Sequence, residues 1–200
     1  MIYGTGCKPS KIDGTEHIFK ANIALPAKFS LKKIMPPILN QGATSKCVAY
    51  SLTSYLDWKC NTRENDNNGG QFNIDELYEQ RQNNKKDGMA IKDALSILRH
   101  RGNNGYRIHG YAKVNSMMHL KMALMLNGPC ACALPVKSYN CDFWNGDETK
   151  GYHCVLIVGY NNNVFEIRNS WGKNWGSGGY TNIHENELNK CALEIWTILD

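Results

Sequence analysis

The spacing of apolar residues changes near residue 128. Before that point it follows a helical period. Val48, Leu52, Tyr55 and Leu56 fall at i, i+4, i+7 and i+8, which predicts a helix beginning near Cys47 with one buried face. Asn73 followed by Glu76 has the spacing of a capping box and predicts a short helix over 74–82. Ile91, Ala94, Leu95 and Leu98 repeat at i, i+3, i+4 and i+7, with Gly102 as the stop. Ser116 is placed to cap a further helix that turns Met117, Leu120 and Leu124 inward and ends at Gly128-Pro129. Its methionines read as flexible core filler. After Pro129 the pattern becomes that of strands, over 130–136, 153–160, 163–169, 179–183 and 194–199, with Asn161-Asn162-Asn163 as a hairpin turn. Residues 1–30 read as an irregular arm, 31–42 as an extended approach and 60–71 as a polar loop.

Helices first and strands afterwards predict an α+β fold. The expected organisation is an arm over 1–24 and a single domain over 25–200. An α-lobe of about 25–128 and a β-lobe of about 129–200 would meet at a cleft.

Bulk composition narrows the partners. Hydrophobic residues make up 42% of the 200 and charged ones 20%, as in a globular chain with a real core. The net charge of +5 is scattered rather than clustered, so no nucleic acid is expected as a partner. No stretch approaches the ~18 apolar residues of a membrane span, and no membrane partner is expected. The first thirty residues, with Gly4, Gly6, Pro9, Gly14 and Pro26, lack the apolar core of a signal peptide. With Met1 as the natural start, the expectation is a non-secreted protein, in the cytoplasm or, for a viral one, the host cytoplasm.

Eight cysteines form an even set, but a chain of this length needs no staple, and Cys130, Cys132 and Cys154 lie inside apolar runs as small hydrophobes. Cys130-x-Cys132 has the wrong spacing for structural zinc and no second pair follows, so neither metal nor cofactor is expected.

Three positions carry chemistry. A thiol at a helix N-terminus, as at Cys47, meets the positive end of the helix dipole, which favours thiolate. An imidazolium beside it, from His153, would lower its pKa further and later protonate a leaving amine. An amide carbonyl, from Asn169, can orient that imidazole without adding charge. Gln41, six residues before Cys47, could aim an N–H at a developing oxyanion, with the Cys47 backbone N–H as second donor. Each has a plain structural reading as well: packing for the cysteine, a satisfied strand residue for the histidine, a turn for Asn-Ser-Trp-Gly. Those readings must together explain four coincidences in the right order.

The segments around these residues resemble a known family. Asn40-Gln41-Gly42 through Cys47-Val48-Ala49-Tyr50-Ser51 is similar to the nucleophile segment of papain-like cysteine proteases. Gly151-Tyr152-His153-Cys154-Val155 with Val158-Gly159-Tyr160 resembles their histidine strand. Arg168-Asn169-Ser170-Trp171-Gly172, continuing to Trp175-Gly176 and Gly179-Tyr180, resembles their asparagine segment, with two tryptophans and four glycines at family spacing. The resemblance implies the papain-like two-lobe fold, a helical lobe against an antiparallel, barrel-like β-lobe. It implies hydrolysis of peptide bonds through a thioester, with Cys47 as nucleophile, His153 as acid and base, Asn169 as orienter and Gln41 as oxyanion donor. Trp171 would shield the His–Asn hydrogen bond. Gly88 would pair with substrate backbone. Met89, Ala90, Ala133 and Cys154 would shape the pocket for the second residue upstream of the cut, where a hydrophobic side chain is expected.

The departures from the family bear on regulation. Thr44 stands where secreted members carry a disulfide cysteine, and Val48 replaces their usual tryptophan. Residues 47 and 153 are 106 apart, fewer than the roughly 130–150 usual in the family, as in compact bacterial or viral relatives. Only about forty residues precede Gln41-Gly42, too few for the usual inhibitory prodomain, but residues 1–24 are placed to lie across the cleft as a short plug. A monomer acting on peptide or protein substrates is expected. An exopeptidase, a transpeptidase and a silent peptide-binding homologue share the same fold signature and stay open.

Overall fold

In the computed structural model, residues 3–62, 72–82 and 84–200 are described. Five helices run as α1 (Cys47–Thr62), α2 (Ile74–Glu79), α3 (Ile91–His100), α4 (Met117–Asn127) and α5 (Glu185–Cys191). Nine strands accompany them: β1 (Cys7–Lys8), β2 (Lys28–Ser30), β3 (Met89–Ala90), β4 (Gly110–Lys113), β5 (Cys130–Val136), β6 (Gly151–Asn161), β7 (Val164–Arg168), β8 (Tyr180–His184) and β9 (Glu194–Leu199).

Local chemistry explains the helix ends. Asn73 caps α2 by accepting from the backbone N–H groups of Asp75 and Glu76. Ser116 caps α4 by accepting from the N–H of His119. That helix stops at Gly128, whose φ of +93° and contact with the Trp58 ring leave no room for a Cβ. The α1 helix departs from expectation: it is buried on nearly all sides, including Ser51, Thr53 and Ser54. It is the central helix, packed against β6, α2 and α3; the Ser51 hydroxyl donates to the carbonyl of Cys154 at 3.0 Å, whereas that of Thr53 is buried with no partner among the described residues.

The eleven-residue strand β6 organises the sheet. It pairs antiparallel with β5 on one side and with β1, β2 and β7 elsewhere along its length. The strand path runs β3-β1-β6-β5-β9-β4, with β8 joined through β7, and the sheet curls into a half-barrel. Alternation along β5 divides two cores. Ala131 and Ala133 face α1 and α3, while Cys130, Cys132 and Leu134 face α4. Both faces being covered explains why β5 reads as a continuous apolar run.

Several elements went unforeseen. Strands β1 and β2 lie within the arm read as irregular, a 3-10 turn spans Lys32–Ile34, and β3, β4 and α5 carried no clear signal. The α1 helix continues through Thr62 into the expected 60–71 loop, of which residues 63–71 lie outside the described residues. No helix among the described residues is long and apolar enough to cross a membrane.

Candidate active site

Cys47 is the first residue of α1, His153 the third of β6, and Asn169 follows the last residue of β7. The β6–β7 register sets Leu156 opposite Arg168, which brings the last two side chains together. His153 Nε2 donates to Asn169 Oδ1 at 2.7 Å, and the same oxygen accepts from the Ser170 N–H at 2.7 Å. A carbonyl oxygen only accepts, so the neutral ring carries its proton on Nε2 and its lone pair on Nδ1. Nδ1 has no hydrogen-bond partner. Trp171 stacks on the imidazole with centroids 4.5 Å apart, and Phe143 meets it edge-on at 5.8 Å. Both rings pack on the imidazole, and His153 and Asn169 are buried.

Gln41 is aimed by the same segment. The strand-like stretch before α1 is joined to it, with Gln41 N–H donating to Ser170 O and Gly172 N–H to Leu39 O. The hydroxyl of Ser170 donates to Gln41 Oε1 at 2.6 Å. With its oxygen held, the amide turns its Nε2 outward, to the carbonyls of Thr44 at 2.8 Å and Gly4 at 3.1 Å. Ser170 was not singled out from sequence. Its place inside Asn-Ser-Trp-Gly is the signal that could have found it.

The second acceptor, Gly4, belongs to the arm. Its carbonyl also takes the Trp171 indole N–H at 3.3 Å, and its N–H donates to Gly42 O at 2.9 Å. Tyr3 stacks on Trp171 with centroids 4.9 Å apart and planes 9° apart. Further on, Gly6 N–H donates to Tyr152 O and Gly6 O accepts from Met89 N–H at 2.8 Å. Cys7 then pairs with Met89 and Tyr152 in the sheet. Only glycine allows this path, because a Cβ at Gly4 would meet Thr44 O at 1.9 Å and one at Gly6 would meet Ser45 O at 2.2 Å.

The carried-over pocket residues fall around Cys7. Met89, Ala133 and Cys154 are buried in the same core as Cys7 and Cys47, and Ala90 caps α3. Gly88, with φ of +91°, gives its N–H to the Tyr78 hydroxyl at 2.8 Å. Its neighbour Met89 makes the backbone bond to the arm, with its N–H on Gly6 O.

Electrostatics differ from the expectation. Burial pushes the Cys47 thiol up to about 11, against a pull from backbone N–H groups that include that of Cys7. Burial also pushes the His153 imidazole down to about 4, opposed by its bond to Asn169. Both buried groups are therefore neutral, thiol and imidazole rather than thiolate and imidazolium. A helix terminus contributes about 2 kcal/mol at most, and full burial outweighs it. All eight cysteines are free, and among the described residues no group of three or more His, Cys, Asp and Glu is arranged to hold a metal.

Known proteins share this fold. Xylellain, a cysteine protease from Xylella fastidiosa, superposes with a TM-score of 0.83 at 21% identity, over 98% of this chain and 96% of that one. Digestive procathepsin L2 from Tenebrio molitor superposes at 0.76 and 19% identity, over 99% of this chain and 78% of its own. At these identities the likeness concerns the fold. By sequence, cathepsin K of Mus musculus is 24% identical over 200 residues, and cathepsin Q of Rattus norvegicus is 32% identical over 107. The chain spans 60% and 31% of the length of these two relatives. The model of the papain family cysteine protease matches residues 75–199. With more than half its length in that match and its fold shared end to end, the chain belongs to the papain family of cysteine proteases.

Proposed function

We propose that this chain is a thiol peptidase that cuts peptide bonds through a thioester, and that its own arm keeps it latent. The observation carrying this reading is the hydrogen bond from His153 Nε2 to Asn169 Oδ1, which leaves Nδ1 as the base. When a substrate replaces the arm, Nδ1 takes the Cys47 proton and the sulfur attacks the carbonyl carbon. The Gln41 Nε2 and the Cys47 N–H stabilise the resulting oxyanion. Collapse breaks the C–N bond as the imidazolium returns its proton to the amine. Water, deprotonated by the same imidazole, then hydrolyses the thioester. One copy of the chain supplies every group, so a monomer suffices. Eight free thiols favour a reducing compartment, in keeping with a non-secreted protein.

Latency follows from what the arm occupies. The oxyanion donor Nε2 already holds the Gly4 carbonyl, and Cys47 is fully buried. Fluorogenic peptide turnover by the full chain and by Gly4→Val/Gly6→Val tests both parts. The doubly substituted arm must lift, so turnover should rise about tenfold or more over wild type and vanish in Cys47→Ala. Equal turnover by wild type and the valine variant would overturn latency. Turnover that persists in Cys47→Ala would overturn the peptidase reading.

A further inference from the structure

Cys7 is a buried thiol that the proposed chemistry does not use. It is the inward residue of β1 and is 3% exposed, while Lys8 beside it faces solvent. In the antiparallel pairing of β1 with β6, Cys7 lies opposite Tyr152. Its side chain therefore shares the face of β6 that Tyr152 has in common with Cys154. Helix α1 packs on β6, and Cys7, Cys47 and Cys154 belong to one core. The arm meets the nucleophile itself: the backbone N–H groups that pull on the Cys47 sulfur are those of Cys154, Val48, Cys47 and Cys7. The Cys7 thiol is otherwise uncommitted. Its one hydrogen bond among the described residues is weak, to the carbonyl of its neighbour Lys8 at 3.9 Å.

The two positions of the arm give these thiols different reactivity. With the arm closed, burial holds Cys47 at about 11 and pushes Cys7 well above its ordinary range, so both stay protonated and unreactive. With the arm lifted, that burial is relieved and Cys47 becomes the activated nucleophile of the peptidase reading. An accessible thiolate of this kind is what peroxides oxidise, and it runs on to irreversible acids unless a second thiol captures the first product. Two thiols are near enough to do so. Cys154 is pinned in the middle of the sheet, within the seven-residue pairing of β6 with β5. Cys7 sits on a two-residue strand that follows Gly6, and such a segment can settle into the separation a disulfide requires.

We propose that Cys7 is the resolving thiol of Cys47, so that a peroxide turns the arm into a covalent and reversible lock over the nucleophile. In the open state the Cys47 thiolate attacks one peroxide oxygen and the O–O bond breaks. The other oxygen leaves as hydroxide and takes the proton that Cys47 had given up, forming water. Cys47 is left as a sulfenic acid. Once the arm closes, the Cys7 sulfur attacks the Cys47 sulfur and the S–O bond breaks. The hydroxyl departs with the Cys7 proton as a second water, and an S–S bond joins residues 7 and 47. Two thiols have then lost two electrons and two protons to one peroxide. A thiol reductant reverses the lock, as a reducing compartment would once the oxidant is spent. The inference rests on the peptidase reading above for the reactivity of Cys47.

The test exposes the full chain, reduced beforehand, to hydrogen peroxide and maps its tryptic peptides by mass spectrometry without reduction. Trypsin leaves Cys7, Cys47 and Cys154 in three different peptides. A Cys7–Cys47 linked pair should form and exceed any Cys47–Cys154 pair by about tenfold or more. Dithiothreitol should then restore peptide turnover in wild type. In Cys7→Ser, and in Cys7→Ala should the first not fold, about tenfold less should return, because Cys47 has run on to sulfinic and sulfonic acid. A Cys47–Cys154 pair in its place, Cys47 left unoxidised, or equal recovery with and without Cys7 would overturn the proposal and leave the peptidase reading intact. The mapping needs no turnover. A linked pair in a protein whose reduced Gly4→Val/Gly6→Val form cuts no peptide would therefore keep the lock and sink the peptidase reading.

Discussion

The two halves of the arm are held by opposite kinds of interaction. The inner half, Tyr3 to Cys7, lies against Gln41, Tyr152 and Trp171 through backbone hydrogen bonds, one aromatic stack and glycines packed against carbonyls. The outer half, Lys11 to Glu16, is mostly exposed, and its strongest link is the Lys92 ammonium held between Glu16 and Asp13. Ser10 stands at the junction, with its hydroxyl on Glu194. Backbone contacts over buried neutral groups resist salt, whereas the Lys92 ion pairs, open to solvent at Asp13 and in part at the ammonium, are screened more. Under the proposed latency the inner half decides whether the site is closed, and the outer half only limits how far the arm strays.

Acid should separate the two most strongly. Burial holds the His153 imidazole at about 4, below its ordinary 6.5. A depressed imidazole favours the covered state fully above pH 6.5, and that contribution is lost as pH falls from 6.5 to 4. The loss amounts to about 3 kcal/mol at and below pH 4. The Glu16 and Asp13 carboxyls are held below their ordinary values, chiefly by Lys92 for Glu16 and by Thr15 for Asp13. They therefore remain charged over most of that window. Calorimetry should show Tm falling between pH 6.5 and 4 in wild type and a flatter profile in His153→Gln. Identical profiles would place the acid sensitivity in the outer half instead.

Smaller effects come from single contacts in each half. Tyr3→Ala removes the stack on Trp171 and should cost the closed state about 1 kcal/mol, read as a several-fold rise in peptide turnover that added salt does not change. Lys92→Ala should cost under about 0.5 kcal/mol, read as a slight rise that disappears at 1 M salt. The reverse order of these two would break the comparison.

What sequence could reveal follows the same division. His153, Asn169 and Trp171 were legible because short motifs carry them, the first on β6 and the other two just past the end of β7. The stacking of Trp171 on His153 is the contact those motifs encode. Cys47 was legible because the helix it begins has a clear apolar spacing. The charge state of the two groups was not, since it depends on burial, which no local pattern displays. Strand β1 is two residues long and pairs with partners far away in the chain, so no local period announces it. Gly4 and Gly6 read as signs of irregularity, when their missing side chains are what lets the arm lie flat.

The central claim is that a complete catalytic set lies under an ordered arm. Hydrogen exchange at the Gly4 and Gly6 amides of the full chain tests it most directly, because these donate to Gly42 O and Tyr152 O within the groove. The account predicts exchange slowed by about a hundredfold or more relative to an unstructured peptide. Exchange of both amides at the unstructured rate, in a chain whose β6 amides stay protected, would contradict it.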